Sequence, residues 1–229
     1  MTMNIARHDI YARIHKGLRA FLGDTLVALG RMDPADGSDV RDTLARLEEL
    51  LAFCEGHLEV EDGFIHAAME SRCPGSALTR ITEHVQHVRE IEALRALAHE
   101  VAAVPAPASA RALYRSFATF AAENLAHMEH EESANNAVLW ALFTDDEIRA
   151  IEARIVASHA PAESMQALRW MLPAMNHGER LEVLGGLRNA PAAVLQGALG
   201  LARAHLRATE VEKLDRDFAQ RGPALTAAS

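Results

Sequence analysis

Apolar residues recur at intervals near 3.6 through the first 143 residues, which is the period of helices with one buried face. The recurrence is interrupted three times. A first helix is predicted from about Ile5 to Leu29, ending before "RMDPADGSD", whose Pro, Gly and Asp residues do not continue it. A second begins near Asp39, its expected N-cap, and ends at "SRCPGS", where Pro74 and Gly75 break the pattern. A third runs from about Ser76 to Ala103. After "PAPASA" a fourth starts near Ser109 and carries apolar residues through "AVLWALF" to Phe143. Four long helices with short connectors predict an all-α, up-down antiparallel four-helix bundle over residues 1–143.

A second helical region follows over residues 144–229. It opens on "TDDE", a capping box with Thr144 as N-cap and Glu147 three positions later. Pro161, Pro173 with Asn176, and Asn189 with Pro191 divide residues 145–219 into four expected helices, the last one long, before the tail "RGPALTAAS". Trp170 and "MLPAM" supply apolar surface that so short a helical set does not cover by itself. The C-terminal helices are therefore expected to dock on the bundle, bind a protein partner or self-associate.

Composition supports the helical reading. Hydrophobic residues make up 49% of the chain and aromatic residues only 5%, while alternating β-branched runs are almost absent. A net charge of −9 with no Lys/Arg cluster leaves no electrostatic footprint for nucleic acid or an anionic membrane surface. No stretch approaches the length of a membrane span, and the N-terminus lacks a signal-type apolar run, so the expected location is cytoplasmic. Cys54 and Cys73 form no CxxC motif and suit a reducing compartment, each expected as a buried thiol.

Candidate chemistry enters with His and Glu spaced four apart. With 12 histidines and 21 glutamates, chance supplies about one such pair, and the chain has four: His57/Glu61, His66/Glu70, His127/Glu131 and His159/Glu163. Helical faces choose among them. At about 100° per residue, His57 and Glu61 share a face with Leu50, Phe53, Phe64 and Ala68. His127 and Glu131 share one with Leu113, Phe120, Ala134 and Val138. His66 lies nine residues beyond His57, half a turn away, and is expected on the solvated face. Pro161 divides the last pair. The inward stripe of the first helix carries His15, and that of the third carries His84. His57 follows His15 by 42 residues and His127 follows His84 by 43, so the two halves repeat one pattern. Two ionised glutamates in an apolar bundle cost several kcal/mol unless a cation compensates them. A metal site made of His15, His57, Glu61, His84, His127 and Glu131 answers that cost. His87, about 60° off the His84 face, is a candidate further ligand or supporting group. His8, Tyr11, Glu123 and His130 are candidate supports around the ligands.

At these residues the chain resembles the hemerythrin-like family, whose cation-binding domain has His on its first helix, HxxxE on its second, His on its third and HxxxE on its fourth. "ARIHKGLRAFL", "HLEVEDGFI", "TEHVQHVREI" and "HMEHEE" occupy those places, and the resemblance covers residues 5–143. It implies a non-haem di-iron centre with two iron ions, Glu61 and Glu131 bridging them and the histidines split between them. Ferritin-like di-iron enzymes instead use ExxH, which this chain lacks. Oxygen carriers of the family have HxxxH on the third helix and HxxxxD on the fourth, whereas "HVQH" and "HMEHE" stand here. The resemblance is closer to the iron-cluster repair and nitric-oxide-responsive branch, although the cysteine motif often found in an N-terminal domain there is missing. It implies a protein that binds or senses a small diatomic ligand, dioxygen or nitric oxide, in iron or oxidative and nitrosative stress handling. Enzymatic turnover is left open. An iron store or donor for iron-centre repair, and a helical interaction protein with a structural metal, are the alternatives.

Overall fold

The computed structural model describes residues 7–221, and every regular element among them is helical. In chain order these are α1 (Ala12–Arg31), α2 (Gly37–Val60), α3 (Ala67–Arg72), α4 (Leu78–Ala103), α5 (Pro107–His130), α6 (Asn136–Leu142), α7 (Asp145–Ser158), α8 (Pro161–Ala174), α9 (His177–Gly186), α10 (Ala192–His205) and α11 (Ala208–Gln220). A π-helical turn over Glu61–His66 joins α2 to α3 without a break, and another over Glu131–Asn135 joins α5 to α6. Contacts divide the chain into two compact units. The first holds residues 7–11 and Phe21–Ile155, and the second holds Ala12–Ala20 and residues 156–221.

In the first unit α2 packs on α4, and α4 packs on α5. The apolar stripe of α2 explains its buried face: Leu47, Leu50, Leu51, Cys54 and Leu58 recur at intervals of three and four, and all are buried. Truncating a fully buried leucine such as Leu50 to alanine costs about 2–5 kcal/mol. Arg95 on α4 clamps α2 through Glu48 (2.8 Å) and Glu55 (2.6 Å). A further core forms where α3, α6 and α7 meet the segment before α1, with Tyr11, Ile65, Met69, Leu139, Ile148 and Ile151 among its buried residues. The expected capping box opens α7, with Glu147 accepting from the Thr144 N–H at 2.8 Å and Thr144 Oγ1 accepting from the Glu147 N–H at 3.3 Å.

Several boundaries differ from the sequence expectations. The N-cap of α2 is Asp36, which accepts from the N–H groups of Ser38 (2.8 Å) and Asp39 (3.3 Å). Asp39 instead accepts from the Asp33 N–H at 2.7 Å and holds the preceding turn. Cys54 is buried, and burial pushes its thiol up to about 12, but Cys73 is exposed because α3 ends one residue before it. The turn after Cys73 needs Gly75, whose φ is +88°, and Glu70 secures it by accepting from the N–H groups of Gly75 and Ala77, both at 2.7 Å.

The second unit has its own core of Leu168, Leu172, Leu181, Leu184, Leu199 and Leu214, with α8 packed on α10. Gly17 permits close approach there: a Cβ at this position would lie 3.1 Å from the Met171 backbone nitrogen. Buried Arg180 donates to the carbonyls of Leu172 (2.8 Å) and Pro173 (3.0 Å) and pairs with Glu210 (3.0 Å), so it satisfies the C-terminal carbonyls of α8. The long last helix expected from sequence is two helices, α10 and α11, because the chain extends at Leu206 and Arg207 and Glu210 caps the restart. Pro173 lies inside α8 rather than ending it, and the division falls at Asn176, the N-cap of α9.

Candidate metal centre

The last turn of α2 and the π-turn after it place His57 Nε2 at 3.2 Å from Glu61 Oε1. The same construction at the end of α5 places His127 Nε2 at 3.3 Å from Glu131 Oε1. From α4, His84 Nε2 lies 3.6 Å from Glu61, 3.8 Å from Glu131 and 3.1 Å from His127 Nε2. Glu61, His84, His127 and Glu131 thus each offer one ligand atom, and these atoms all lie within 4.8 Å of one another. All four residues are buried, with Glu61 and Glu131 at 1% and 0% exposure. His15 is also fully buried, on α1, and the His57 side chain is nearly so.

The far nitrogens of the two central imidazoles are held by carboxylates. His84 Nδ1 lies 2.9 Å from Asp62 Oδ1, and His127 Nδ1 lies 2.8 Å from Glu83 Oε2. An ionised carboxylate only accepts, so these contacts assign the proton of each ring to Nδ1 and leave a lone pair on each Nε2. Two such lone pairs facing each other at 3.1 Å repel unless a cation or a proton lies between them. Burial works against a charged His127, but Glu131 and Glu83 outweigh it and hold the pKa of this histidine above the ordinary imidazole value. Imidazole nitrogens with carboxylate oxygens form a donor set that suits a first-row transition metal, so the residues present fit such an ion.

His66 corrects a sequence expectation. It is fully buried rather than solvated, with Nδ1 2.8 Å from Asp62 and its ring 5.0 Å from that of His84. The π-turn is the cause: one extra residue in the turn sets the downstream face back by about 100°, so His66 comes round toward the centre. Burial lowers its pKa. Asp62, His66 and His84 form a further group able to hold an ion, open to solvent at Asp62.

Of the expected supports, Tyr11 lies beside the centre. It is fully buried, its hydroxyl accepts from Asn135 Nδ2 at 3.1 Å, and its pKa is raised well above 10 by burial first and then by the charges of Glu131 and Glu61. The phenol therefore keeps its proton. Asn135 Nδ2 also lies 3.4 Å from His66 Nε2. His87 is buried, bonded to Glu90 at 3.1 Å, and set edge-on to His127 at 4.9 Å between ring centroids; burial and His127 lower its pKa. It belongs to no ion-holding group among the described residues. His8 pairs with Glu152 at 2.9 Å, Glu123 is exposed, and exposed His130 lies 3.4 Å from Arg80. None of these three belongs to an ion-holding group among the described residues. Asp62, Glu83, His66 and Asn135 escaped the sequence reading. The available signal was carboxylates directly beside candidate ligands, at Asp62 after Glu61 and Glu83 before His84.

A family model described as the hemerythrin HHE cation binding domain matches residues 7–139. No curated protein and no solved structure matches the chain. Among the described residues no helix is long and apolar enough to cross a membrane.

Proposed function

The chain belongs to the hemerythrin HHE cation-binding family, and from that premise we propose that it is a di-iron protein that binds or senses a small diatomic ligand, dioxygen or nitric oxide. The carrying observation is that Glu61, His84, His127 and Glu131 form an ion-holding group within the first unit, with His57 Nε2 3.2 Å from Glu61 Oε1 beside it. The sequence pattern adds His15 as the histidine that would accompany His57 at a second ion. Glu61 and Glu131 would be the residues held in common by two ions, because a carboxylate has two oxygens to offer while a neutral imidazole has one lone pair. An iron ion held by two histidines and two carboxylates would keep positions free for a small ligand. An up-down antiparallel four-helix bundle is the fold that this reading carries, in keeping with the all-helical first unit.

When bound, iron supplies the redox change and the open positions that diatomic binding needs. The chain supplies the rest. Asp62 and Glu83 hold the rings of His84 and His127 in the tautomer that presents Nε2 inward. Tyr11 keeps a neutral hydroxyl in the field of the two glutamates, anchored by Asn135, so it can hold a proton there without adding charge. Leu50 on α2 and Phe117 and Phe120 on α5 are buried on the helices that lead to the site.

Metal analysis of protein reconstituted with iron tests this reading, with about two ions per chain expected. Optical spectra of the anaerobically reduced protein are expected to change on adding dioxygen or nitric oxide. One ion per chain overturns the bridging assignment, and two ions with no spectral response to either gas overturn the diatomic role.

A further inference from the structure

A groove of about 420 Å³ lies between the π-turn with α3 on one side and α7 on the other, within the first unit. Its walls are apolar, built by Phe64, Ala67, Ala68, Phe143, Ala150 and Ile151, and Gly63 leaves open space where a side chain would stand. Three charged residues line it. Two of them neutralise each other: Arg72 donates to both Glu147 oxygens, at 2.5 and 3.2 Å, with its guanidinium 3.9 Å from the centre of the Phe143 ring. Glu147 also accepts from Thr144, so its carboxylate is fully engaged. Arg154 is different. It makes no ion pair among the described residues, and its guanidinium stands 5.8 Å from the Phe64 ring centre.

We propose that this groove is a binding site for a small amphiphilic carboxylate, with Arg154 taking the carboxylate and the Phe64/Phe143 walls taking its apolar body. Charge complementarity selects this occupant. A guanidinium fork offers paired N–H donors that match a carboxylate, while a neutral amphiphile gains only the wall contacts and a cation is repelled. The volume lies in the range of small-ligand sites, and the walls carry the apolar lining with few polar anchors that such sites use. The site is separate from the candidate metal centre, because none of the groove residues named here belongs to an ion-holding group.

Calorimetric titration of the full chain with octanoate, octanol and octylammonium tests the proposal. Octanoate is expected to bind at least tenfold more tightly than either of the others. Arg154→Gln is expected to weaken octanoate about tenfold or more while leaving the thermal midpoint unchanged. Ala67→Leu fills the groove without touching the guanidinium and is expected to abolish binding. Equal affinity for octanol, an unchanged affinity in Arg154→Gln, or no octanoate binding at millimolar concentration each overturns it. So does a dimer that Ala67→Leu dissociates, which would assign the groove to a second copy of the chain.

Discussion

Replacing Asp62 with alanine should weaken the site without touching any proposed ligand. Asp62 Oδ1 is the acceptor for His84 Nδ1 at 2.9 Å and for His66 Nδ1 at 2.8 Å. Removing it frees the His84 ring to rotate and removes the force that keeps the proton on Nδ1. A hydrogen bond to a charged acceptor contributes about 1.5–3 kcal/mol. The Asp62 side chain is 42% exposed, so solvent screening argues for the lower end, about 1.5 kcal/mol, or about tenfold in affinity. That agrees with the 10–100-fold range for losing a hydrogen-bond partner of a metal ligand. Asp62→Asn should lose less, because both rings bond to the one oxygen Oδ1 and an amide oxygen in that place still accepts from them, without the charge. Glu83→Ala should match Asp62→Ala, since Glu83 holds His127 by a bond of 2.8 Å and is 36% exposed. The assay is anaerobic competition for ferrous ion against a chromophoric chelator, with circular dichroism to show that helicity is kept. An Asp62→Ala protein with parental helicity and an affinity within about twofold of the parent would refute the tautomer argument on which the site's geometry rests.

Glu61→Ala and Glu131→Ala should each abolish two-ion loading, whereas Glu70→Ala should load normally and unfold at a lower temperature, because Glu70 only secures the turn into α4; metal analysis beside thermal unfolding separates the two classes. Arg72 holds the Glu147 carboxyl at about 2, below its ordinary 4.5, so the pair's contribution is present above pH 4.5 and lost as pH falls toward 2. Arg72→Gln should flatten that acid limb in a stability-against-pH series, and an unchanged limb would remove the pair as its cause. A chain ending at Ser158 keeps Ile148 and Ile151 in the first unit's core and every residue of the ion-holding groups, so it should still load iron while its association state or rate of oxidation changes. Loss of iron together with helicity would show that residues 159–229 are needed for the bundle to fold.

The long helices are legible because their ends carry residues that cannot continue a helix, such as Pro74, Gly75 and Pro105, and because their apolar stripes are regular. Where a helix ends without such a residue, periodicity has nothing to register. The break between α10 and α11 falls at Leu206 and Arg207, and the pattern runs through it. The N-cap of α2 was misplaced for a related reason: Asp33, Asp36 and Asp39 all have the chemistry of a cap, and only the backbone decides which carboxylate meets the free N–H groups. The inward faces of Glu61, His84, His127 and Glu131 followed from 100° per residue because each lies within one uninterrupted stretch of its own helix or at the first residue of a π-turn. His66 did not, because the count from His57 crosses that turn. Gly63, in the interior of an otherwise strong helix former, was the local sign that regular winding is weakened there, since glycine costs about 1 kcal/mol against alanine in a helix. The second π-turn has no such sign: "EESAN" reads as ordinary helix, yet it brings Asn135 to Tyr11. Both turns begin at a glutamate of the shared pair. The irregularity is thus placed where a straight helix would carry His66 and Asn135 past the centre, and the ligands themselves remain on faces that a regular helix already supplies.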